Sequence, residues 1–160
     1  LIMGEYDIVG EDDVLPPSLL ELKAADAAAA AGLLPLTRLQ QLTLRAIEYE
    51  VMPAAELRQL SALTSLTSVD FTYKATAQQI DAAAEGWCAL PLRYLYLYCS
   101  GGSTLQRNTL MQLSKLTCLE DLTLTECVSE DSIRPEVLGD VLAQLTQLDT
   151  LGVQKNQYLQ

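Results

Sequence analysis

Apolar residues recur along the chain in one figure, clearest at Leu119, Leu122 and Leu124, with the small Cys127 three positions later. The same spacing stands at Leu39, Leu42, Leu44 and Ile47, then at Leu66, Val69, Phe71 and Lys74. It returns at Leu92, Leu95, Leu97 and Ser100, and at Leu148, Leu151, Val153 and Asn156. Measured at the middle apolar position, the steps are 27, 26, 27 and 29 residues. The segments between copies carry helix signals. Pro53 opens Ala54 to Leu60, and proline at a first helical position gives up no hydrogen bond. Thr76 with Gln79 has the form of a capping box ahead of Ile80, Ala83 and Ala84. Leu105, Leu110 and Leu113 make a third apolar helical face, and Ser132 can cap a fourth helix carrying Val137, Leu138, Val141 and Leu142. The helical segments end in one phrase, seen as Leu63-Thr64-Ser65-Leu66, Leu116-Thr117-Cys118-Leu119 and Leu145-Thr146-Gln147-Leu148.

This figure resembles the leucine-rich repeat, L-x-x-L-x-L-x-x-N/C-x-L, over roughly Leu33 to Asn156, with a weaker extension back to Leu15. Repeat length and helical returns are similar to the ribonuclease-inhibitor-type and cysteine-containing subclasses, the latter found in F-box proteins that recruit substrates for ubiquitin transfer. The resemblance implies an α/β solenoid, with one strand and one helix per copy. Helices pack about 8–10 Å apart and strands pair at about 4.8 Å, so the parallel sheet becomes the concave side and the helices the convex side. Ile47, Lys74, Ser100, Cys127 and Asn156 hold the ninth position, where the family places a residue that bonds backbone groups in the loop. Residues 33–160 form the array. Residues 1–32 read as irregular N-terminal material: Pro16 to Leu22 is a shortened copy with Leu20 and Leu22 in strand positions, and Leu1 and Met3 are remains of another. Lys23 to Gly32 is an alanine-rich helix closed by its glycine. The chain reads as a fragment of a longer array, with further repeats or subunits covering the end near Val153.

Composition narrows the function. Hydrophobic residues make up 49%, enough for a continuous core, while charged residues are only 19%, below the about 25% of an ordinary domain. The 21 acids against 10 bases leave −11 with no histidine. Nucleic acid and anionic membranes both need Lys and Arg, so both are disfavoured as partners. A basic protein partner is allowed but not demanded. No apolar run reaches the 18 residues of a membrane span. The four cysteines at 88, 99, 118 and 127 show no C-x-x-C pair and read as free thiols, which points to an intracellular, cytoplasmic-type compartment. Glu11-Asp12-Asp13 lacks the alternation and glycine of a calcium loop and reads as a solvated turn.

Between inward leucines, strand side chains alternate to the other face. This sets three columns on the concave surface: Gln41, Ser68, Tyr94, Asp121 and Thr150; Thr43, Asp70, Tyr96, Thr123 and Gly152; Arg45, Thr72, Tyr98, Thr125 and Gln154. Tyr94, Tyr96 and Tyr98 line up three rings flanked by Asp70 and Asp121. Tyrosine is a good strand former, and it is also enriched at binding hot spots. The expected partner-binding set is Tyr94, Tyr96, Tyr98, Asp70, Asp121, Arg45, Thr72 and Thr123. There is no histidine for acid–base work, no G-x-S-x-G and no phosphate-binding loop, so no enzyme, cofactor or metal site is expected. Trp87 stands where other copies have Leu60, Leu113 and Leu142, and belongs to the core. The expectation is a scaffold that binds a protein through the strand face. The alternative is a structural subunit, or the substrate-adaptor piece of a ubiquitin-ligase-type protein, with no ligand on that face.

Overall fold

The computed structural model describes residues 2–6, 15–24, 33–44, 54–99, 105–127 and 135–154. Among them, seven strands form one parallel sheet in chain order. They are β1 (Ile2–Tyr6), β2 (Glu21–Ala24), β3 (Gln41–Leu44), β4 (Ser68–Ala75), β5 (Tyr94–Cys99), β6 (Asp121–Thr125) and β7 (Thr150–Gln154). Four helices lie between later strands: α1 (Ala54–Gln59), α2 (Ala77–Trp87), α3 (Arg107–Leu113) and α4 (Pro135–Leu142). Each helix packs on the next one in the chain. No helix among the described residues is long and apolar enough to cross a membrane.

The register follows the apolar figure. Leu22, Leu42, Val69, Leu95, Leu122 and Leu151 pair in one line across the sheet, and Ala24, Leu44, Phe71, Leu97, Leu124 and Val153 in the next. A strand's side chains alternate, so a slip of one residue would turn every leucine to the wrong face. From Leu22 and Leu44 onward these lines share a core with Leu57, Leu60, Ile80, Ala83, Ala84, Leu110 and Leu113 from the helical returns. The helices therefore cover one face of the sheet and leave the other open.

The phrase after each helix explains the run of leucines at intervals of three. Leu36 donates to Leu33 and Leu39 to Leu36; Leu63, Leu66, Leu116, Leu119, Leu145 and Leu148 repeat the pattern. Bonds of this i to i−3 type eclipse side chains three apart, so successive leucines point the same way into the core. Immediately before each of β2 to β6 one carbonyl accepts two bonds from the next unit. Leu20 takes the N–H groups of Gln40 and Gln41, Gln40 those of Thr67 and Ser68, and Thr67 those of Arg93 and Tyr94. Arg93 in turn takes Glu120 and Asp121, and Glu120 takes Asp149 and Thr150. These forks place Leu19, not Leu20, in the inward position ahead of Leu22. Leu19 is fully buried, while Leu20 supplies the carbonyl of the first fork.

Other expectations are met or corrected in the same way. Thr76 and Gln79 make a reciprocal capping box at the start of α2, the Gln79 side chain accepting from the Thr76 N–H at 2.7 Å. Lys23 and Ala24 belong to β2, so no helix starts there; residues 25–32 lie outside the described set. Pro53, Glu11-Asp12-Asp13 and Ser132 also lie outside it, as do Ile47, Ser100 and Asn156, and the side chain of Lys74. Leu105 precedes α3 yet is fully buried. Trp87 is core: its indole stacks on Phe71 at 5.4 Å and its N–H donates to the Leu57 carbonyl at 2.9 Å. That bond satisfies a carbonyl near the end of α1, where intrahelical donors run out.

Leu142 departs from expectation. Its counterparts Leu60, Trp87 and Leu113 are 1%, 2% and 0% exposed, whereas Leu142 is 36% exposed. Leu148, Leu151 and Val153 are only half-buried. Each unit is covered by the unit after it, and among the described residues none follows β7. Leu113→Ala should therefore cost about 2–5 kcal/mol as a buried cavity. Leu142→Ala should cost about 1 kcal/mol or less. Denaturant titration of both variants measures the difference, and equal losses would mean that Leu142 is covered.

Candidate functional site

The open face of the sheet is made by the alternate residues that the core does not use. Pairing sets them in three rows running across the strands. The first is Glu21, Gln41, Ser68, Tyr94, Asp121 and Thr150. The second is Lys23, Thr43, Asp70, Tyr96, Thr123 and Gly152. In the third, Tyr98, Thr125 and Gln154 are paired. Tyr94, Tyr96 and Tyr98 thus run along β5 near the centre of the sheet. Asp70 on β4 shares the row of Tyr96, while Asp121 on β6 shares the row of Tyr94. The two aspartates flank the strip in different rows. Arg45 lies outside the described residues, and so does the side chain of Thr72.

Tyr94 is 46% exposed, the most exposed large hydrophobic side chain of the described residues. Tyr96 and Tyr98 are half-buried rather than open. Tyr94 is held from two sides. The Arg93 guanidinium lies over its ring, 5.8 Å from the centroid, and its phenol donates to Glu120 Oε2 at 3.2 Å. Arg93 closes the set by donating through Nε and Nη2 to Glu120 Oε1. These side-chain bonds from Arg93 hold the Glu120 carboxyl below its ordinary range, with the Tyr94 phenol adding to the effect. The same bonds raise the guanidinium further.

At the other end of the strip a second phenol meets a carboxylate. The Tyr98 phenol donates to Glu126 Oε2 at 3.2 Å. Glu126 follows β6 directly and has a positive φ of 57°, a region that costs a side chain with a Cβ. Its N–H donates to the Gln154 carbonyl at 2.8 Å, which ties it to the end of β7. Between the two ends, Thr123 donates to Asp121 at 3.2 Å. Gly152 allows this approach: a Cβ there would stand 2.9 Å from Thr123 Oγ1.

Arg93, Glu120 and Glu126 escape a reading confined to strand interiors, since all three flank a strand. Arg93 and Glu120 could have been found by aligning the residue before each strand, which puts them in adjacent copies. Glu126 has no such signal, because nothing in a glutamate announces a left-handed backbone.

Cys127 is fully buried, and its thiol donates to the carbonyls of Leu97 at 3.3 Å and Thr125 at 3.2 Å. Both carbonyls belong to strands, Leu97 to β5 and Thr125 to β6. Cys88, Cys118 and Cys127 are free thiols, and the Cys99 side chain lies outside the described residues. Burial pushes the Cys88 thiol up, and it donates to Ala84 at 3.1 Å and Gln112 at 3.3 Å between α2 and α3. Among the described residues no three Asp, Glu, Cys or His side chains converge as metal ligands. What the open face offers is aromatic area, carboxylates and hydroxyls. No protein-family model matches this chain, and no curated protein matches it either.

Two outcomes follow from this geometry. Cys127→Asn should be tolerated, since an amide can serve the same carbonyls, while Cys127→Leu should cost about 1–3 kcal/mol by overpacking. A thiol reagent should label Cys118 in the folded protein and leave Cys127 untouched until unfolding; early labelling of Cys127 would refute its burial. The second outcome concerns Glu120. Its folded value is lowered, so the tie to Tyr94 holds above the ordinary carboxylate range and is lost as pH falls through the folded value. The ¹³C shift of a labelled Tyr94 ring should report protonation of Glu120 with a midpoint below that of an ordinary glutamate, and Glu120→Gln should abolish the transition.

Proposed function

We propose that the chain is part of a leucine-rich repeat solenoid that binds a protein partner through its strand face, with no catalytic centre. The observation that carries this reading is the tyrosine strip of β5. Tyr94 is 46% exposed, and Tyr96 and Tyr98 lie beside it on the face that the core does not use. Tyrosine offers a large contact area with few torsions to freeze, and central aromatic residues carry a disproportionate share of binding energy. The Tyr94 ring is already fixed by Arg93 and Glu120, so part of its ordering cost is met before a partner arrives. The forked carbonyls and the leucine lines support the repeat assignment, because equivalent residues of successive units make equivalent bonds. A shorter spacing between strands than between helices would curve the strand face inward around a partner.

A second reading, a structural piece packed end to end in a larger assembly, is favoured by one observation. Leu142 is 36% exposed beside the half-buried Leu148, Leu151 and Val153. The two readings place the contact on different surfaces, so one experiment separates them. A photo-crosslinking residue at Tyr94 should capture the partner, and the same residue at Leu142 should not. With the captured partner purified, Tyr96→Ala should leave the fold within about 1 kcal/mol of its original stability. Its affinity should fall by about 2 kcal/mol or more. Leu95→Ala, which empties a core position, is the control for lost folding. Unchanged affinity in a folded Tyr96→Ala, Tyr98→Ala double variant would mean that the strand face is idle.

A further inference from the structure

Tyr94 is the most open ring of the strand face, and the two sides of it differ in charge. In the first two rows every side chain is described, as is the line that precedes the strands: Leu20, Gln40, Thr67, Arg93, Glu120 and Asp149. Towards β3 the residues beside Tyr94 are Gln40, Gln41, Thr67 and Ser68, none of them charged. Towards β7 they are Glu120, Asp121 and Asp149. The two cations of these rows are taken by glutamates, Arg93 by Glu120 and Lys23 by Glu21. Asp121 accepts from the Thr123 hydroxyl at 3.2 Å, and neither it nor the exposed Asp149 joins an ion pair among the described residues. Asp121 pairs directly with Tyr94, and the Asp149 N–H donates to the Glu120 carbonyl at 2.8 Å. Both aspartates therefore lie within two strand spacings of Tyr94, about 10 Å along the backbone.

We infer that the Tyr94 side of the strand face takes a basic segment of the partner protein, one cationic side chain lying along the ring with its charge at Asp121 and Asp149. This rests on the binding role proposed above and names the partner's chemistry. Charge complementarity carries it. A carboxylate can only accept, so whatever meets the two aspartates must donate. A neutral or acidic segment laid across Tyr94 would strip water from both without supplying a counter-charge. The stem of a lysine or arginine can instead cover an apolar ring while its head stays with polar groups, and tyrosine faces attract cations. Arg93 shows the arrangement within the chain, 5.8 Å from the Tyr94 centroid and bonded to Glu120. Its Nε and Nη2 both serve Glu120, which leaves the two aspartates to an outside donor. The uncharged side of Tyr94 fixes the orientation: the basic end of the segment lies towards β7 and its neutral end towards β3. The net charge of −11 favours approach of such a partner from a distance.

Peptides selected from a random displayed library on the intact protein provide the test, with affinities measured by fluorescence anisotropy. Binders should be enriched in lysine and arginine. The double variant Asp121→Asn, Asp149→Asn keeps the shapes and removes two charges, and should weaken binding about tenfold at low salt. The loss should shrink as salt rises, because exposed charges are screened. Glu85→Gln with Glu136→Gln removes as much charge from the exposed surfaces of α2 and α4 and should change binding less than about twofold. Asp149→Asn alone, at an exposed position, is the second variant if the double one impairs folding, and should give part of the same loss. Binders weakened by Tyr94→Ala or Tyr96→Ala but indifferent to the aspartate variants would overturn the inference and leave the binding face standing. Binders indifferent to all of these changes would overturn both, and a library that yields no binder would count against both as well.

Discussion

A short strand with a helix of six to eleven residues behind it has one apolar side and nothing of its own to set against it. Burial has to come from the neighbouring strand and helix, and that dependence governs the rest of the molecule. Parallel pairing with zero offset is what brings Leu95 beside Leu122 and Leu97 beside Leu124, so that one continuous core replaces several small ones. The forked carbonyls at Gln40, Thr67, Arg93 and Glu120 hold that offset from the backbone side. The price is paid at the last described strand, where Leu142 and its neighbours are left partly in solvent.

Much of this was legible in the residues themselves. The period of two within a strand, repeated every 26 to 29 residues, is enough to place Gln41, Ser68, Tyr94, Asp121 and Thr150 in one row, as they are. The capping box at Thr76 and the core position of Trp87 were readable for the same reason, since each is a local pattern with a local cause. What could not be read depended on something outside the unit. Leu19 and Leu20 are chemically alike, and only the carbonyl fork with Gln40 and Gln41 decides which one faces inward. Lys23 and Ala24 have good helix propensity, yet pairing with Thr43 and Leu44 draws them into a strand. The exposure of Leu142 depends on what stacks beyond it, which no single copy encodes.

The site divides along the same line. Its aromatic content was visible as three tyrosines at alternate positions, but its electrostatic organisation was not. Arg93, Glu120 and Glu126 stand at strand edges, where alternation no longer says which way a side chain points. Their roles emerge only from distances: two phenol-to-carboxylate bonds of 3.2 Å, one with a guanidinium over its ring. The strip is therefore better described as two tyrosine–glutamate pairs around a central Tyr96 than as three equivalent rings. Tyr94 and Tyr98 are each held by a phenol-to-carboxylate bond.

The forked carbonyls also bear on how the chain acquires its structure. Each joins residues 20 to 30 apart, such as Leu20 with Gln40 or Glu120 with Thr150, and none reaches beyond the adjacent strand. Loop-closure entropy rises only slowly with length, so closures of this span cost nearly the same entropy. Folding can then start at whichever neighbouring pair is locally most cohesive and spread outward in both directions. The stacked Phe71 and Trp87, joined to α1 through the Leu57 carbonyl, make the β4–α2 unit the natural seed. From there order would advance by accretion, one strand and one fork at a time, and disorder would return from the ends by the reverse path.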